Sequence, residues 1–310
     1  MPKKLVDTKD LVNIDELTNS QILQIIARAN EFKAGSQTTL PKAERFATNM
    51  FFENSTRTHN SFHIAETKLG INIIEFNASE SSIEKGESLY DTVLALCAIG
   101  VDLCVIRHQD NNYYNQLINQ KSITASIVNA GDGNGEHPSQ CLLDLMTIKE
   151  EFTNFTNLKV AIVGDISHSR VAVSDAKALK SLGCEIYFSG PPIWYNSKFE
   201  AYGKYKTLDE LVPNMDIIIM LRVQHERHKT ETKFSKTKYH KTFGLTTQRA
   251  RKMKNSAIIM HPAPVNRNVE LADELIESKQ SRIVQQMSNG VFTRMAIIEN
   301  VLKNKELHDL

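Results

Sequence analysis

The sequence predicts an α/β protein of two similar domains, each a mainly parallel sheet flanked by helices. Three observations predict it. Short apolar runs of strand length alternate with amphipathic stretches of helical period, as βαβ units require. The alternation occurs in two series, separated by a helix-like stretch near residues 138–150 and the polar run Glu151–Asn157. The 310 residues are enough to build two cores.

In order along the chain, residues 1–35 combine a basic start, Asp15 as a candidate cap and an apolar face of Ile22, Ile25, Ile26 and Phe32, which predicts a helix. Strands are expected at Phe46–Phe52, Ile71–Phe76, Val101–Ile106 and Ile123–Asn129. Between them, helical patterns run over Ser61–Leu69, Leu89–Ile99 with a cap near Ser88, and Asn111–Ile118. The second series predicts strands at Val160–Val163, Glu185–Ser189, Asp216–Leu221 and Ala257–Met260, and helices at Val173–Leu182, Leu208–Leu211 and Thr246–Met253. Gly290–Val301 reads as a last helix beginning near the glycine. The Lys-, His- and Thr-rich stretch Gln224–Gly244 reads as a long irregular loop over a site.

Composition narrows the function. Lys and Arg number 37 against 36 Asp and Glu, so no global charge draws the chain to nucleic acid or a membrane, and any anion must be held by a local cluster. The cysteines Cys97, Cys104, Cys141 and Cys184 sit in apolar surroundings without CxxC spacing, which predicts buried free thiols in a reducing compartment rather than disulfides or zinc ligands. The histidines show no metal-binding spacing. No signal peptide and no membrane-span-length apolar run is visible, so a cytoplasmic protein is expected.

Ligands of open α/β sheets bind beyond the carboxyl ends of the strands. After the first strand come Ser55-Thr56-Arg57-Thr58 at the start of a helix. Ser55 suits an N-cap, and first-turn amides with hydroxyls and a guanidinium can hold a phosphate; a capped surface helix with an exposed arginine is the alternative. The third strand leads to Arg107-His108, and the fourth to Asn129-Ala-Gly-Asp-Gly-Asn-Gly-Glu and then His137-Pro138-Ser139-Gln140. In the second half, strand ends carry Gly164-Asp165 with His168-Ser169-Arg170, Arg222-Val223-Gln224, and His261-Pro262-Ala263-Pro264. Arg57, Arg107, Arg170 and Arg222 thus lie at four strand ends, more than a solvated surface requires. The first set suits a phosphate joined to a carbonyl; the paired guanidiniums of the second match a dicarboxylate. Neither half supplies an activated nucleophile, so catalysis would rest on positioning and polarisation.

Other motifs are weaker. Gly131–Gly135 lacks both GxGxxG spacing and a P-loop lysine, and reads as a tight turn positioning His137. Val160–Asp165 followed by a helix lacks a dinucleotide fingerprint, so no nicotinamide is expected. By itself, Ser81-Ser-Ile-Glu-Lys85-Gly-Glu87 reads as a solvated turn before a helix.

FFENSTRT, SSIEKGESLYDT, IRH, NAGDGNGEHPSQ, GDISHSR, MLRVQHER, HPAPVNR and NGVFTRMA occur in this order along nearly the whole chain. In that set the sequence resembles the aspartate/ornithine transcarbamylase family. The resemblance implies a carbamoyl-phosphate-binding domain over residues 1–137, joined by a C-terminal helix 290–310 that packs back on it, and an aspartate-binding domain over 138–289. It implies that Ser55, Thr56, Arg57 and Thr58 hold the phosphate, with Arg107 bridging phosphate and carbonyl. His137 would polarise the carbamoyl carbonyl, Gln140 would take its amide, and the backbone of Ala263 and Pro264 would complete the pocket. Arg170, Arg222 and Gln224, together with Lys85, would hold L-aspartate. Ser81 and Lys85 would enter the site of a neighbouring subunit, which turns the Lys85 loop from a solvated turn into a functional one and implies a homotrimer with shared sites. Arg57, Thr58, Lys85, Arg107 and His137 form the implied catalytic set. No cofactor is implied; regulatory or dihydroorotase-like chains are further partners the family allows.

Within the family, ornithine-type members typically carry a lysine in the phosphate loop and an HCLP segment. Here those places read Glu53-Asn54-Ser55 and His261-Pro262-Ala263-Pro264, which favours aspartate. The implied reaction is carbamoyl transfer from carbamoyl phosphate to the α-amine of L-aspartate in pyrimidine synthesis. His59 and His63 depart from the family's usual basic and acidic residues, beyond the phosphate contacts.

Overall fold

The computed structural model describes residues 9–78, 86–223 and 234–308. It divides into two compact units, residues 1–146 with 288–310, and residues 147–287.

The first unit opens with α1 (Asn19–Lys33). Its cap is Thr18 rather than Asp15: Thr18 Oγ1 accepts from the Gln21 amide and Gln21 Oε1 from the Thr18 amide, a reciprocal capping box. Asp15 lies within a short 3-10 turn, Ile14–Glu16. Then follow β1 (Phe46–Phe51), α2 (Thr56–Lys68), β2 (Asn72–Ile74), α3 (Leu89–Ala98), β3 (Leu103–His108), β4 (Ser126–Asp132) and α4 (Pro138–Glu151). Ser88 caps α3 as expected, accepting from the Asp91 amide at 3.1 Å. The four strands are parallel in the order β2-β1-β3-β4. The stretch read as helical around residues 111–118 forms a single 3-10 turn, Tyr113–Gln116.

Strands β3 and β4 run beyond their apolar stretches, and His108 pairs with Asp132 after a register shift. The ladder continues into polar residues because those side chains bond within the buried sheet: Asn129 Nδ2 donates to Asp132 Oδ1 at 3.0 Å and to Val12 O at 2.8 Å.

Glu66 on α2 is fully buried and accepts one bond, from Asn49 Nδ2 on β1 at 2.7 Å. Burial outweighs that bond and pushes its carboxyl up to about 7 from 4.5. A folded value above the unfolded one means that the folded state binds the proton more tightly. Its contribution is therefore full below pH 4.5 and is lost as pH rises through about 7. Glu66→Gln keeps the shape and the acceptor without the charge. Chemical denaturation should find it more stable than the parent by about 3 kcal/mol at pH 8, a gap that shrinks toward pH 5. Equal pH slopes for the two proteins would remove Glu66 as the source.

The second unit contains β5 (Lys159–Val163), α5 (Arg170–Ser181), β6 (Glu185–Ser189), β7 (Gly203–Tyr205), α6 (Leu208–Leu211), β8 (Ile217–Met220), α7 (Lys236–Phe243), α8 (Thr247–Ala250) and β9 (Ile258–Met260). Its sheet is also parallel throughout, in the order β7-β6-β5-β8-β9. Three residues without an apolar run gave β7 no legible signal; it joins the edge by pairing Tyr205 with Phe188. Of the polar stretch expected to be irregular, residues 224–233 lie outside the described residues, and the remainder holds α7. Tyr239 is buried and stacks on Trp194 at 5.7 Å, with Phe234 and Phe243 packed edge-on, so a few aromatic side chains outweigh the surrounding polar composition.

The final helix, α9 (Ile283–His308), starts earlier than Gly290 and runs from the second unit into the first. Its later turns pack back on the first unit: Lys33 Nζ donates to Asn289 Oδ1 at 2.8 Å, Arg28 Nε meets Glu299 Oε2 at 2.7 Å, and Lys305 Nζ meets Asp102 Oδ1 at 2.7 Å. No helix among the described residues is long and apolar enough to cross a membrane.

Candidate active site

Each sheet reverses its strand order once. In the first, β2 lies on one side of β1 and β3 on the other; in the second, β6 and β8 flank β5. Such reversals leave a crevice beyond the carboxyl ends of the two strands at the switch.

In the first unit that crevice receives the Ser55–Thr58 turn and Arg107. Phe51 pairs with Arg107 across β1 and β3, and the Phe52 amide donates to Arg107 O at 2.9 Å. Arg107 Nε meets Glu53 Oε2 at 3.2 Å, and Nη1 donates to Ala130 O at 3.4 Å. Ser55 occupies the N-cap of α2 but makes no side-chain capping bond, so its hydroxyl is not spent on the helix as the sequence suggests. Thr58 is buried, Ser55 half-buried, and Thr56 and Arg57 exposed. Helix geometry leaves first-turn amides without intrahelical acceptors and places the positive end of the dipole here. The arrangement suits a compact anion.

His137 and Gln140 follow β4. Asp132 staples the intervening turn: Oδ1 accepts from the Glu136 amide and Oδ2 from the Asn112 amide, each at 2.8 Å. Gly133 has φ +37°, and a Cβ there would lie 2.0 Å from Asn111 Oδ1, so the glycine is sterically required. His137 O accepts the first bonds of α4, from the Gln140 and Cys141 amides. His137 and Gln140 are both buried. Gln140 Nε2 donates to Asp144 Oδ1 at 3.0 Å, which leaves Oε1 as the acceptor end for a ligand amide.

In the second unit, Asp165 is buried at the end of β5 and its Oδ1 lies 2.7 Å from His168 Nδ1. Ser169 caps α5 by accepting from the Ala172 amide. The helix begins three residues before the predicted start, so Arg170 is its first residue and is buried. Arg222 is half-buried just past β8. The neighbouring loop is tied in by Asn266, whose Nδ2 donates to Val223 O at 3.2 Å and whose amide donates to Glu270 Oε1 at 2.6 Å. Glu270 and His261 are fully buried. The Ala263 amide donates to His261 Nδ1 at 2.8 Å, so Nε2 carries the proton and donates to Glu270 Oε1 at 3.3 Å. Ala263 itself holds φ +56°, a strained conformation for a residue with a Cβ, of a kind concentrated at ligand sites. Ala263 and Pro264 are joined by a cis peptide bond.

Ser55, Thr56, Arg57, Thr58 and Arg107 therefore gather at one switch point, His137 and Gln140 stand at the end of adjacent β4, and Arg170 and Arg222 gather at the other switch point. Ser81, Lys85 and Gln224 lie outside the described residues. Sequence reasoning missed Asp132 and Glu270, whose carboxylates tie down the turns beside His137 and Ala263, and the buried Arg294. Arg294 carried a usable signal, being a lone charge in the otherwise apolar segment VFTRMAII.

Two parallel sheets, each presenting basic side chains at its switch point, define a two-domain α/β anion-binding protein. Residues 9–150 match the carbamoyl-phosphate-binding domain model of the aspartate/ornithine carbamoyltransferases, and residues 156–301 match the aspartate/ornithine-binding domain model. The aspartate carbamoyltransferase catalytic subunit of Enterococcus faecalis is 59% identical over 300 residues, covering 97% of each chain. That of Streptococcus equi subsp. equi is 56% identical over 300 residues, covering 97% of this chain and 96% of its own. The structure of Trypanosoma cruzi aspartate transcarbamoylase in complex with N-(phosphonacetyl)-L-aspartic acid superposes with a TM-score of 0.83 at 28% identity, covering 96% of this chain and 97% of that one. The chain belongs to the aspartate/ornithine carbamoyltransferase family.

Proposed function

We propose that this chain transfers the carbamoyl group of carbamoyl phosphate to the α-amine of L-aspartate, giving N-carbamoyl-L-aspartate and phosphate, in pyrimidine synthesis. The observation that carries the reading is near-full-length identity of 59% to a catalytic subunit named for this reaction. The strand-end chemistry supports it independently, with a phosphate-type set on one sheet and a dicarboxylate-type pair on the other.

The residues divide the work. Ser55, Thr56, Arg57 and Thr58 bind the phosphate at the start of α2, and Arg107 reaches from phosphate to carbonyl oxygen. Gln140 accepts from the carbamoyl amide, and the backbone of Ala263 and Pro264 takes the rest of that group. Arg170, Arg222 and Gln224 hold the aspartate carboxylates and so orient its amine toward the carbonyl carbon. As the amine attacks, negative charge grows on the carbonyl oxygen, where Thr58, Arg107 and His137 donate. Each such donor is worth about 2.7–4 kcal/mol in the transition state. The tetrahedral intermediate collapses by expelling phosphate, whose oxygen takes the proton from the amine. The carbamoyl-phosphate-binding domain spans residues 1–137 with the C-terminal helix 290–310 and carries the phosphate contacts, Arg107 and His137. The aspartate-binding domain spans 138–289 and carries Arg170, Arg222 and Gln224.

The enzyme is a cytoplasmic homotrimer in which Ser81 and Lys85 complete the site of a neighbouring subunit. Their presence in the SSIEKGESLYDT motif supports this reading. The reaction is tested by a colorimetric assay for carbamoyl-aspartate on the purified protein, with L-ornithine as the competing acceptor; faster turnover with ornithine would overturn the aspartate reading. Sharing is tested by mixing inactive Lys85→Ala and His137→Ala chains. Verified mixed trimers should recover part of the parental activity, and recovery of none would make each site self-contained.

A further inference from the structure

Asn49 and Glu66 form a polar pair inside the packing of α2 against β1. Asn49 is 3% exposed and Glu66 0%. Asn49 Nδ2 donates to Glu66 Oε2 at 2.7 Å. The two outer oxygens, Glu66 Oε1 and Asn49 Oδ1, are buried and have no hydrogen-bond partner among the described residues. An ionised carboxylate leaves both unsatisfied, because it has no proton to give and two acceptors repel. One proton satisfies both. The acid donates from one oxygen to the amide carbonyl while its other oxygen accepts from the amide nitrogen, closing a ring of two hydrogen bonds. The ring forms whichever way the Asn49 amide is turned. The charged surroundings favour the same form. Strands β1 and β2 carry no ionisable side chain. Glu75, exposed just beyond β2, acts on Glu66 as a like charge. On α2 itself, Arg57 and Lys68 are exposed, and His59 and His63 half-buried. From α9, Arg294 Nη1 donates to Ser61 Oγ at 3.0 Å and Nη2 to Ser139 Oγ of α4 at 3.5 Å. No cation among the described residues lowers the Glu66 carboxyl.

We propose that Glu66 is a positioning residue of the phosphate site: it folds as a neutral acid that donates to Asn49 Oδ1, and the resulting ring of two bonds holds α2 against β1. The proposal deepens the carbamoyl-transfer reading and rests on it for its consequence in binding. Strand β1 leads into the Ser55–Thr58 turn, and α2 begins with it. The pair lies about 12 Å along the helix from Thr58. His59 stands two turns before Glu66 on the same helix face and packs edge-on against Phe51 of β1, with ring centres 5.1 Å apart. Phe51 in turn pairs with Arg107 of β3. The pose of the turn relative to Arg107 therefore depends on α2 lying close on β1. Loss of the proton leaves a buried charge and two facing lone pairs, which α2 relieves by moving off the strand or admitting water. The first-turn hydroxyls and amides then lose their alignment with Arg107. The acid form binds the phosphate group better, so affinity falls as pH rises through about 7, the value to which burial pushes the carboxyl up.

Carbon NMR of glutamate-labelled, full-length protein, with the Glu66 carboxyl assigned from the Glu66→Gln spectrum, reads its protonation directly. In the free parent it should titrate near pH 7, above the ordinary glutamate range. Calorimetric titration with carbamoyl phosphate then compares the parent with Glu66→Gln across pH. Glutamine closes the same ring permanently, donating from Nε2 to Asn49 Oδ1 and accepting at Oε1 from Nδ2. The ratio of the two dissociation constants cancels the titration of the ligand and of every other group. It should be near one at about pH 6 and reach about tenfold at about pH 8.5. Saturating carbamoyl phosphate should raise the midpoint of the parent's Glu66 titration, as reciprocity of linked binding requires. If Glu66→Gln does not fold, Glu66→Met supplies the assignment, and the free and saturated midpoints decide. A carboxyl titrating in the ordinary range would overturn the neutral acid. A ratio that stays flat over this span would overturn the positioning role, whatever the variant does to stability. Binding of carbamoyl phosphate by neither protein at about pH 6 would instead count against the carbamoyl-transfer reading, since the carboxyl is titrated in the free protein.

Discussion

Arg57→Ala is expected to lower kcat by about a thousandfold or more and to weaken carbamoyl phosphate binding in parallel. A thousandfold corresponds to about 4 kcal/mol of lost transition-state stabilisation. The size follows from the role proposed for the guanidinium as the reaction proceeds. The ester-like oxygen of carbamoyl phosphate becomes a free phosphate oxygen, so charge grows where Arg57 donates, and the bond strengthens toward the transition state. Loss of folding is not a competing explanation, because Arg57 is exposed in the first turn of α2 and alanine is the better helix former. Arg57→Lys should fall between the two, retaining charge but not the two-pronged geometry. Steady-state kinetics with calorimetric titration of carbamoyl phosphate measures both effects. Near-parental turnover by Arg57→Ala would remove the Ser55–Thr58 turn from the phosphate site.

Arg222→Ala should act on the other substrate. We expect the KM for aspartate to rise by about tenfold to a hundredfold and kcat to fall as well, while carbamoyl phosphate affinity measured alone stays within about twofold. Losing a bidentate hold on a carboxylate removes binding shared by ground and transition states, which appears in KM. Losing the orientation it imposes on the amine appears in kcat. Half-buried Arg222 lies just past β8, in a different unit from the Ser55–Thr58 turn and Arg107, so the phosphate contacts should be untouched. An equal loss of carbamoyl phosphate affinity would show that the two sets are not divided by substrate.

Much of this architecture was legible because parallel strands in α/β proteins are continuous apolar runs. Ile186 and Phe188 in β6, and Ile217–Met220 in β8, announce themselves in that way. The reading failed where local pattern and tertiary environment part. β7 is three residues held by a neighbour's edge. β3 and β4 extend into His108 and Asp132 because buried hydrogen bonds replace apolar contacts at their ends. α7 survives in a polar stretch because Tyr239 finds Trp194, which is remote in sequence. Among the candidate site residues, Arg57, Arg107, Arg170 and Arg222 could be picked out because each follows a strand. Ser139 and Arg294 could not be joined, since nothing in either segment names the other.

By itself the sequence determined which donors and charges stand at the strand ends. Hydroxyls and guanidiniums at strand ends read as phosphate and carboxylate partners because hydrogen-bond donors and charge are properties of the residues themselves. Only the tertiary structure decided which strand ends are neighbours. The orders β2-β1-β3-β4 and β7-β6-β5-β8-β9 put Arg107 beside the Ser55–Thr58 turn and Arg170 beside Arg222. It also decided that Arg294 would lie buried between Ser61 and Ser139. Sheet order and helix docking are set by packing between segments distant in sequence, and periodicity along one segment carries no information about its partner.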